Sequence, residues 1–562
     1  MAFDPRTSNT IVNANRYRWA APGDVNAFFG LMLDNVAGLV LTVTMLIGFF
    51  QFPVDFALRY MIPGTAIGVM AGDLLYFWLA FRLARREQRS DVTAMPLGLD
   101  TPSTIGMVLF VLGPSYTAGL EAGLEPELAA TRTWHIGICA IVITGLIKGL
   151  LAIGSDWMRK VFPRAGLLGS LAAIALVLIA FLQMPKLAIT PVVGFASLAI
   201  VLATLVARGK LPFRIPGALG AVMIGCLIWY ATLGFDRVAG TELAHRPPPG
   251  ETVFFPLQWL TVFTFAWVGS LGDTLAYLPY IIPFAIATVI GGIDCTESAA
   301  SAGDDYNTRT IIGIEAGATL LAGLCGGVIQ TTPYIGHPAY KAMGGRAAYT
   351  LATALFVGGA GLIGYFSVLF QVIPEAAVLP ILVFIGIEIT AQSFHATPRR
   401  HYAALAIACL PALAKLVMIN LEMYVDPSKV ASDPGILNLR MLAGGFIITS
   451  LIWASALARI IDRRFFSASL FFATGGLLVL FGVMHSPLMG DKMFWPWNIG
   501  RVPDPQTQAL VFRPEIQRLI LEFAAAYLVM AVLMFGLGWW LRPEPIDSDE
   551  QYDNLVGIDH VA

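Results

Sequence analysis

The chain has 562 residues, 57% of them hydrophobic and only 13% charged, with a formal net charge of −2. Soluble domains carry roughly 25% charged residues, so this composition excludes a soluble globular protein. The near-neutral balance also excludes a bulk basic surface for nucleic acid. Five cysteines, Cys139, Cys226, Cys295, Cys325 and Cys409, are scattered through apolar runs. They show no CxxC or Cys/His spacing, so they read as small core residues, and neither a metal site nor a cofactor is expected. The N-terminus, MAFDPRTSNTIVNANRYRW, has no short apolar core with a cleavage site, so the first span itself is expected to direct insertion.

A helix needs about 20 apolar residues to cross the bilayer core. In chain order, 1–24 reads as a cytoplasmic tail and 25–235 as seven spans. The first span carries Asp34 and Asn35 near its middle, and the second ends at Asp73, read as interfacial, before the basic loop RLARREQRS. The third, TAMPLGLDTPSTIGMVLFVLG, is short and broken by Pro96, Gly98 and Pro102. Spans four to seven follow, separated by the basic loops DWMRKVFPR and ARGKLPFR. A polar, Pro-rich loop and an interfacial helix fill 236–276. Seven more spans occupy 277–462, two extra spans 463–541, and a cytoplasmic tail 542–562. Sixteen spans are expected in all. Placing the basic clusters, including Arg399/Arg400 and Arg463/Arg464, on one side puts both termini in the cytoplasm. The expected location is a bacterial inner (plasma) membrane.

The two halves repeat in order. Asp34 in LDNVAG matches Asp294 in IDCTES, the broken MPLGLDTP matches TPYIGHPA, and Pro163 and Pro374 mark the entries of partner helices. Seven spans precede the second copy, so it is inserted upside down, with a substrate site at the repeat interface near the midplane. The fold class is thus an all-α polytopic membrane protein of two inverted seven-span repeats. Short extended pieces in spans three and ten are expected to pair with each other, because backbone at membrane depth needs partners.

The broken segments each read as the start of a half-helix, with Thr101-Pro102 and His337-Pro338 as cap followed by first-turn proline. Asp100 is an alternative cap. Two facing helix N-termini would suit carbonyl oxygens or an anion. Asp34, Asp294 and Glu297 are carboxylates in or next to apolar runs, where charge costs roughly 2.5–3.5 kcal/mol on insertion scales. A proton lowers that cost, so Asp294 and Glu297, three apart on one helical face with Thr296 between, are the proton-coupling candidates. The substrate-binding set is Asp34, Asn35, Asp100, Thr101, Asp294, Thr296, Glu297, Thr332, Tyr334, Gly336 and His337. Asp304, Asp305 and Arg309 read as a cytoplasmic turn. No nucleotide-binding or hydrolytic motif is present, so no enzymatic activity is expected.

The runs TESAASAG, GLCGGVIQTTPYIG and VIPEAAVLPILVFIGIEI resemble the nucleobase–cation symporter-2 family, the nucleobase–ascorbate transporters that include uracil and xanthine permeases. The resemblance implies core and gate domains, strands in spans three and ten, homodimerisation through the gate, and proton-coupled symport of a nucleobase. The tenth segment departs from that family: the acid expected after the Thr-Thr turn is replaced by Gly336 or His337. SulP-type anion transporters share the fold and fit Glu297-Ser298 and the Gly323–Gly327 run equally. Because those proteins usually end in a STAS domain, and 22 residues follow Trp540 here, transport of bicarbonate, sulfate or an organic anion is the alternative.

Overall fold

The computed structural model describes residues 17–212, 215–241, 252–334, 336–424, 433–488, 493–503 and 510–556. The Pro-rich midpoint loop at 242–251 and Arg214 of the third basic loop lie outside them.

Long apolar runs become helices because only internally satisfied backbone is stable in hydrocarbon. The first repeat consists of α1 (Gly23–Phe50), α2 (Val54–Glu87), β1 (Leu97–Leu99), α3 (Thr101–Glu121), α4 (Pro126–Val161), α5 (Arg164–Leu187), α6 (Pro191–Val206) and α7 (Gly217–Ala239). The second consists of α8 (Leu278–Ser301), α9 (Thr308–Leu324), β2 (Thr331–Pro333), α10 (His337–Ala342), α11, α12 (Glu375–His395), α13 (Tyr402–Tyr424) and α14. α11 is the pair Ala348–Leu362 and Phe366–Val372, bent by 91°, and α14 the pair Pro434–Ala443 and Phe446–Ile461, bent by 69°. Then come α15 (Phe465–Leu480), a hairpin of β3 (Arg501–Pro503) and β4 (Leu510–Phe512), α16 (Pro514–Leu541) and a short α17 (Asp549–Val556).

Among the described residues, ten helices are long and apolar enough to cross a membrane, or twelve if each bent pair counts once. The expected sixteen spans also included α6, α9, the β2–α10 segment and α15, which are shorter. The expected interfacial helix is instead a pair of 3-10 turns, Leu257–Thr264 and Ala266–Ser270. The loop read in DWMRKVFPR is largely the last turns of α4.

The repeat is visible in backbone geometry. Pro163 before α5 has φ −64° and ψ 147°, and Pro374 before α12 has φ −66° and ψ 141°. Each proline fixes the same extended entry, then frees the helix to start. The helices sort into two packed groups. α1–α4 pack with α8–α11, and α5–α7 with α12–α14. They meet along a seam where α1 touches α7 and α12, α3 touches α5, and α8 touches α5. α15 and α16 pack on α14 around their own apolar cluster, with Phe472, Ile520 and Tyr527 buried.

Candidate functional site

β1 and β2 come from opposite repeats and pair antiparallel in the middle of the first helix group, as inversion requires. Leu97 faces Pro333, Gly98 faces Thr332, and Leu99 faces Thr331. Beyond the strands, the Tyr334 N–H donates to Pro96 O at 2.8 Å and the Asp100 N–H to Gln330 O at 3.2 Å.

A two-stranded ribbon leaves both outer edges unpaired, which is costly where no water reaches. Here side chains complete them. On the β1 edge, Asp73 accepts from Leu97 N–H at 3.1 Å, and Asn35 Oδ1 accepts from Leu99 N–H at 3.1 Å. Asn35 Nδ2 donates to Leu97 O at 3.4 Å. On the β2 edge, Lys148 Nζ donates to Thr331 O at 2.8 Å, and Thr319 Oγ1 accepts from Thr331 N–H at 3.2 Å. Pro333 has no N–H to satisfy, and its carbonyl receives the Cys295 thiol at 3.3 Å. Lys148 also binds Glu315 Oε1 at 2.8 Å, and both side chains are fully buried. Asp73, expected at the interface, is likewise fully buried, because the β1 edge needs its carboxylate.

The half-helices begin one residue earlier than their prolines suggest. α3 is capped by Asp100, whose carboxylate accepts from Ser103 N–H at 2.9 Å, so Thr101 is its first helical residue. Gln330 Nε2 lies 3.5 Å from the same carboxylate. α10 starts at His337 after Gly336, which offers no side-chain cap. The expectation of two open helix ends facing one ligand is therefore corrected. The α3 end is filled by its own acid, and α10 has only six residues.

His337 is fully buried: its Nε2 lies 3.1 Å from Thr93 O and 3.3 Å from Asp304 Oδ2, and its Nδ1 is buried without a hydrogen bond. Asp304, in the turn between α8 and α9, gathers this end of the region. Lys341 Nζ at 2.6 Å, Arg89 Nη2 at 3.1 Å and the Thr93 N–H at 3.1 Å all reach it. Burial pushes its carboxyl upward, but the hydrogen bonds from His337, Lys341 and Thr93 outweigh this and hold it below the usual carboxylate range.

Asp294 and Glu297 lie elsewhere, on the α8 face toward α5. With Phe162, Arg164, Leu167 and Ile293 they line a cleft of about 280 Å³ at the seam between the helix groups. Glu297 pairs with Arg164 at 3.2 Å, and both side chains keep substantial exposure. Thr296 turns inward and bonds its own helix at Gly292 O, 2.8 Å away. Tyr334 stacks near Tyr340, with ring centroids 6.2 Å apart, and Tyr340 packs on Tyr349. Asp34 is buried beside Gly98. The fold thus assembles Asn35, Asp100, Thr332 and Asp34 at the crossover and sends Asp294 and Glu297 to the cleft.

No family model and no curated protein matches the chain. Among solved structures it is similar to the transmembrane domain of BicA, a cyanobacterium bicarbonate transporter, with 14% identity and a TM-score of 0.44, covering 77% of this chain and 96% of that one. It is also similar to SLC26A9, with 12% identity and a TM-score of 0.44, covering 77% of this chain and 65% of that one. The murine Slc26a9 anion transporter in the inward-facing state matches with 12% identity and a TM-score of 0.41, covering 82% of this chain and 73% of that one.

The resemblance to nucleobase–cation symporters is corrected accordingly: the similar structures named above are of anion transporters, and no family model matches. One of those motifs serves packing. In GLCGGVIQTT, Gly326 adopts φ +89° and brings its carbonyl to Trp134 Nε1 at 2.7 Å, where a Cβ would stand 2.9 Å from the indole. Thr331 of the same run builds the β2 edge.

Proposed function

We propose that this chain is a secondary active transporter that carries a small anion together with protons across the membrane. The observation that carries the reading is the crossover of β1 and β2, strands from opposite repeats held at the centre of the bundle beside the seam between two helix groups. Irregular backbone at that depth is tolerated only where protein or a cavity surrounds it, and inverted repeats meeting there suit alternating access.

Charge supports the coupled form. Asp34, Asp73, Asp100 and Glu315 cluster around the crossover against one buried lysine, Lys148. An anion approaching that region meets net negative charge unless protons accompany it. In the cleft, Arg164 offers a planar guanidinium that matches an oxyanion, with Glu297 as the group an anion would displace.

The test is uptake into proteoliposomes. Labelled sulfate or bicarbonate, the latter being the anion named for one of the similar structures, should accumulate faster under an inward proton gradient. Uptake of uracil or xanthine with neither anion moved would overturn the reading.

A further inference from the structure

We propose that Asp34 is the residue that carries the coupling proton, an inference that rests on the proton-coupled transport proposed above. Most acids buried with it hold fixed partners: Asp73 the Leu97 N–H, Asp100 the Ser103 N–H, and Glu315 the Lys148 ammonium. Asp34 does not. Among the described residues no hydrogen bond and no ion pair reaches its carboxylate, although the residue is only 7% exposed. Leaving a bare carboxylate inside the bilayer costs several kcal/mol unless a proton or cation neutralises it. A chain that satisfies the edges of a six-residue ribbon with side chains from five spans has left both oxygens of this acid without a fixed partner, whereas Asp73 and Glu315 each leave only one.

Its position suits coupling. Asp34 Oδ2 lies 3.5 Å from the point where a Cβ on Gly98 would stand, so the carboxylate abuts β1 at the middle of the crossover, opposite Thr332. α1 is also the helix of the first group that packs on both α7 and α12 of the second. A proton on Asp34 is therefore held between the strand ribbon and the seam. The span-ten segment brings Tyr334 and Tyr340 to the same region, and α12 carries Glu388. The other elements packed on α1 add little charge. α11 has no ionisable group but tyrosines, α7 is charged only at Asp236 and Arg237 near its end, and α3 beyond its Asp100 cap only at Glu121. His337 and Lys341 of α10 are bound to Asp304.

The step is a reversible protonation: water on one side supplies H⁺ to a carboxylate oxygen, and the same O–H bond releases it on the other. Asp294 and Glu297, expected from the sequence to do this, line the partly open cleft instead, where Glu297 is bound to Arg164.

Two measurements test the assignment. The first needs no substrate: infrared pH titration of the purified protein in nanodiscs. Asp34→Asn should remove one protonated-carboxyl band that the wild type shows, and an unchanged band would overturn the proposal. If Asp34→Asn is not recovered as a monodisperse protein, Asp34→Glu is titrated in its place. The band must then move from the aspartic to the glutamic position, and a band that stays belongs to another acid.

The second uses whichever of sulfate or bicarbonate the wild type takes up. In Asp34→Asn, gradient-driven accumulation should fall to the level seen without a gradient. Retained proton-driven accumulation overturns the assignment, as does a wild type driven by sodium and not by protons. A wild type that moves neither anion refutes the functional reading alone, because the infrared result still judges Asp34.

Discussion

β1 and β2 are partners in one ribbon, yet their supports differ. β1 is completed by neutral or singly used groups, Asn35 and Asp73, and runs into a 21-residue helix capped by Asp100. β2 leans on a buried ion pair, Lys148–Glu315, and runs into a six-residue helix with no side-chain cap, tied down at its far end by Asp304. A duplicated backbone therefore carries unequal charge. The outer edge of β1 is completed from its own repeat, whereas β2 and the helix it leads into depend on ionised groups from three other segments. Symmetry in the fold does not imply two equal half-sites.

The strongest way to break this comparison is Lys148→Met. It strands Glu315 without a partner and removes the donor to Thr331 O, so unfolding in detergent should show a loss of about 3–5 kcal/mol. Lys148→Met combined with Glu315→Leu should recover much of that, because removing both charges ends the desolvation cost. Asp73→Ala, the nearest equivalent on β1, leaves the Leu97 N–H without its acceptor and should cost only about 1–3 kcal/mol. Equal losses on the two sides would mean that the halves are not differently built.

Next is Asp304→Ala, which releases Arg89, His337 and Lys341 together and should cost about 3 kcal/mol. It also makes a pH prediction. The Asp304 carboxyl is held below its ordinary value, so its stabilisation is fully present above the unfolded value near about pH 4 and is lost as pH falls below that. Thermal unfolding of the wild type should therefore weaken on acidification, and Asp304→Ala should weaken less over the same window.

Much of this was legible in the sequence. The spans follow from apolar runs, and the proline and glycine spacing of MPLGLDTP and TPYIGHPA marks extended pieces leading into half-helices. The supports of the ribbon were harder to read. Lys148 in ITGLIKGLL and Glu315 in GIEAGATLL each interrupt an apolar span, and an ionisable residue there is a site hypothesis in its own right. Their partnership is set by how α4 packs on α9, which one sequence does not encode locally. Asp73 misled for a related reason: the nearby arginines suggested an interface, but helix length places it a full turn or more deeper. Asp294 and Glu297 were rightly seen to share a face, but which neighbour that face meets depends on tertiary packing with α5.

A smaller effect sharpens the contrast at the helix caps. Asp100→Ala removes the acceptor for Ser103 N–H and should cost about 1 kcal/mol, while Asp100→Asn, which can still cap, should cost a few tenths. At α10 the corresponding cost is absent, because Gly336 supplies no side chain to remove. Equal sensitivity at both half-helix starts would contradict the asymmetry.

The smallest effect on stability is expected at the seam. Arg164 and Glu297 are both partly exposed, and such a pair contributes about 0–1 kcal/mol and weakens with salt. Arg164→Gln should therefore unfold almost as the wild type does. Its transport should not follow suit. Arg164 is the cation of the cleft between helix groups, and losing it should raise the anion concentration needed for half-maximal uptake by about tenfold, the factor that about 1.4 kcal/mol represents. Glu297→Gln removes the competitor for the same guanidinium and should move that concentration the opposite way. Stability and uptake thus separate at the cleft, whereas Lys148→Met lowers both because it damages the ribbon on which the two repeats meet. If Arg164→Gln leaves uptake unchanged, the cleft is only a surface feature of the seam, and the anion must be recognised at the crossover itself.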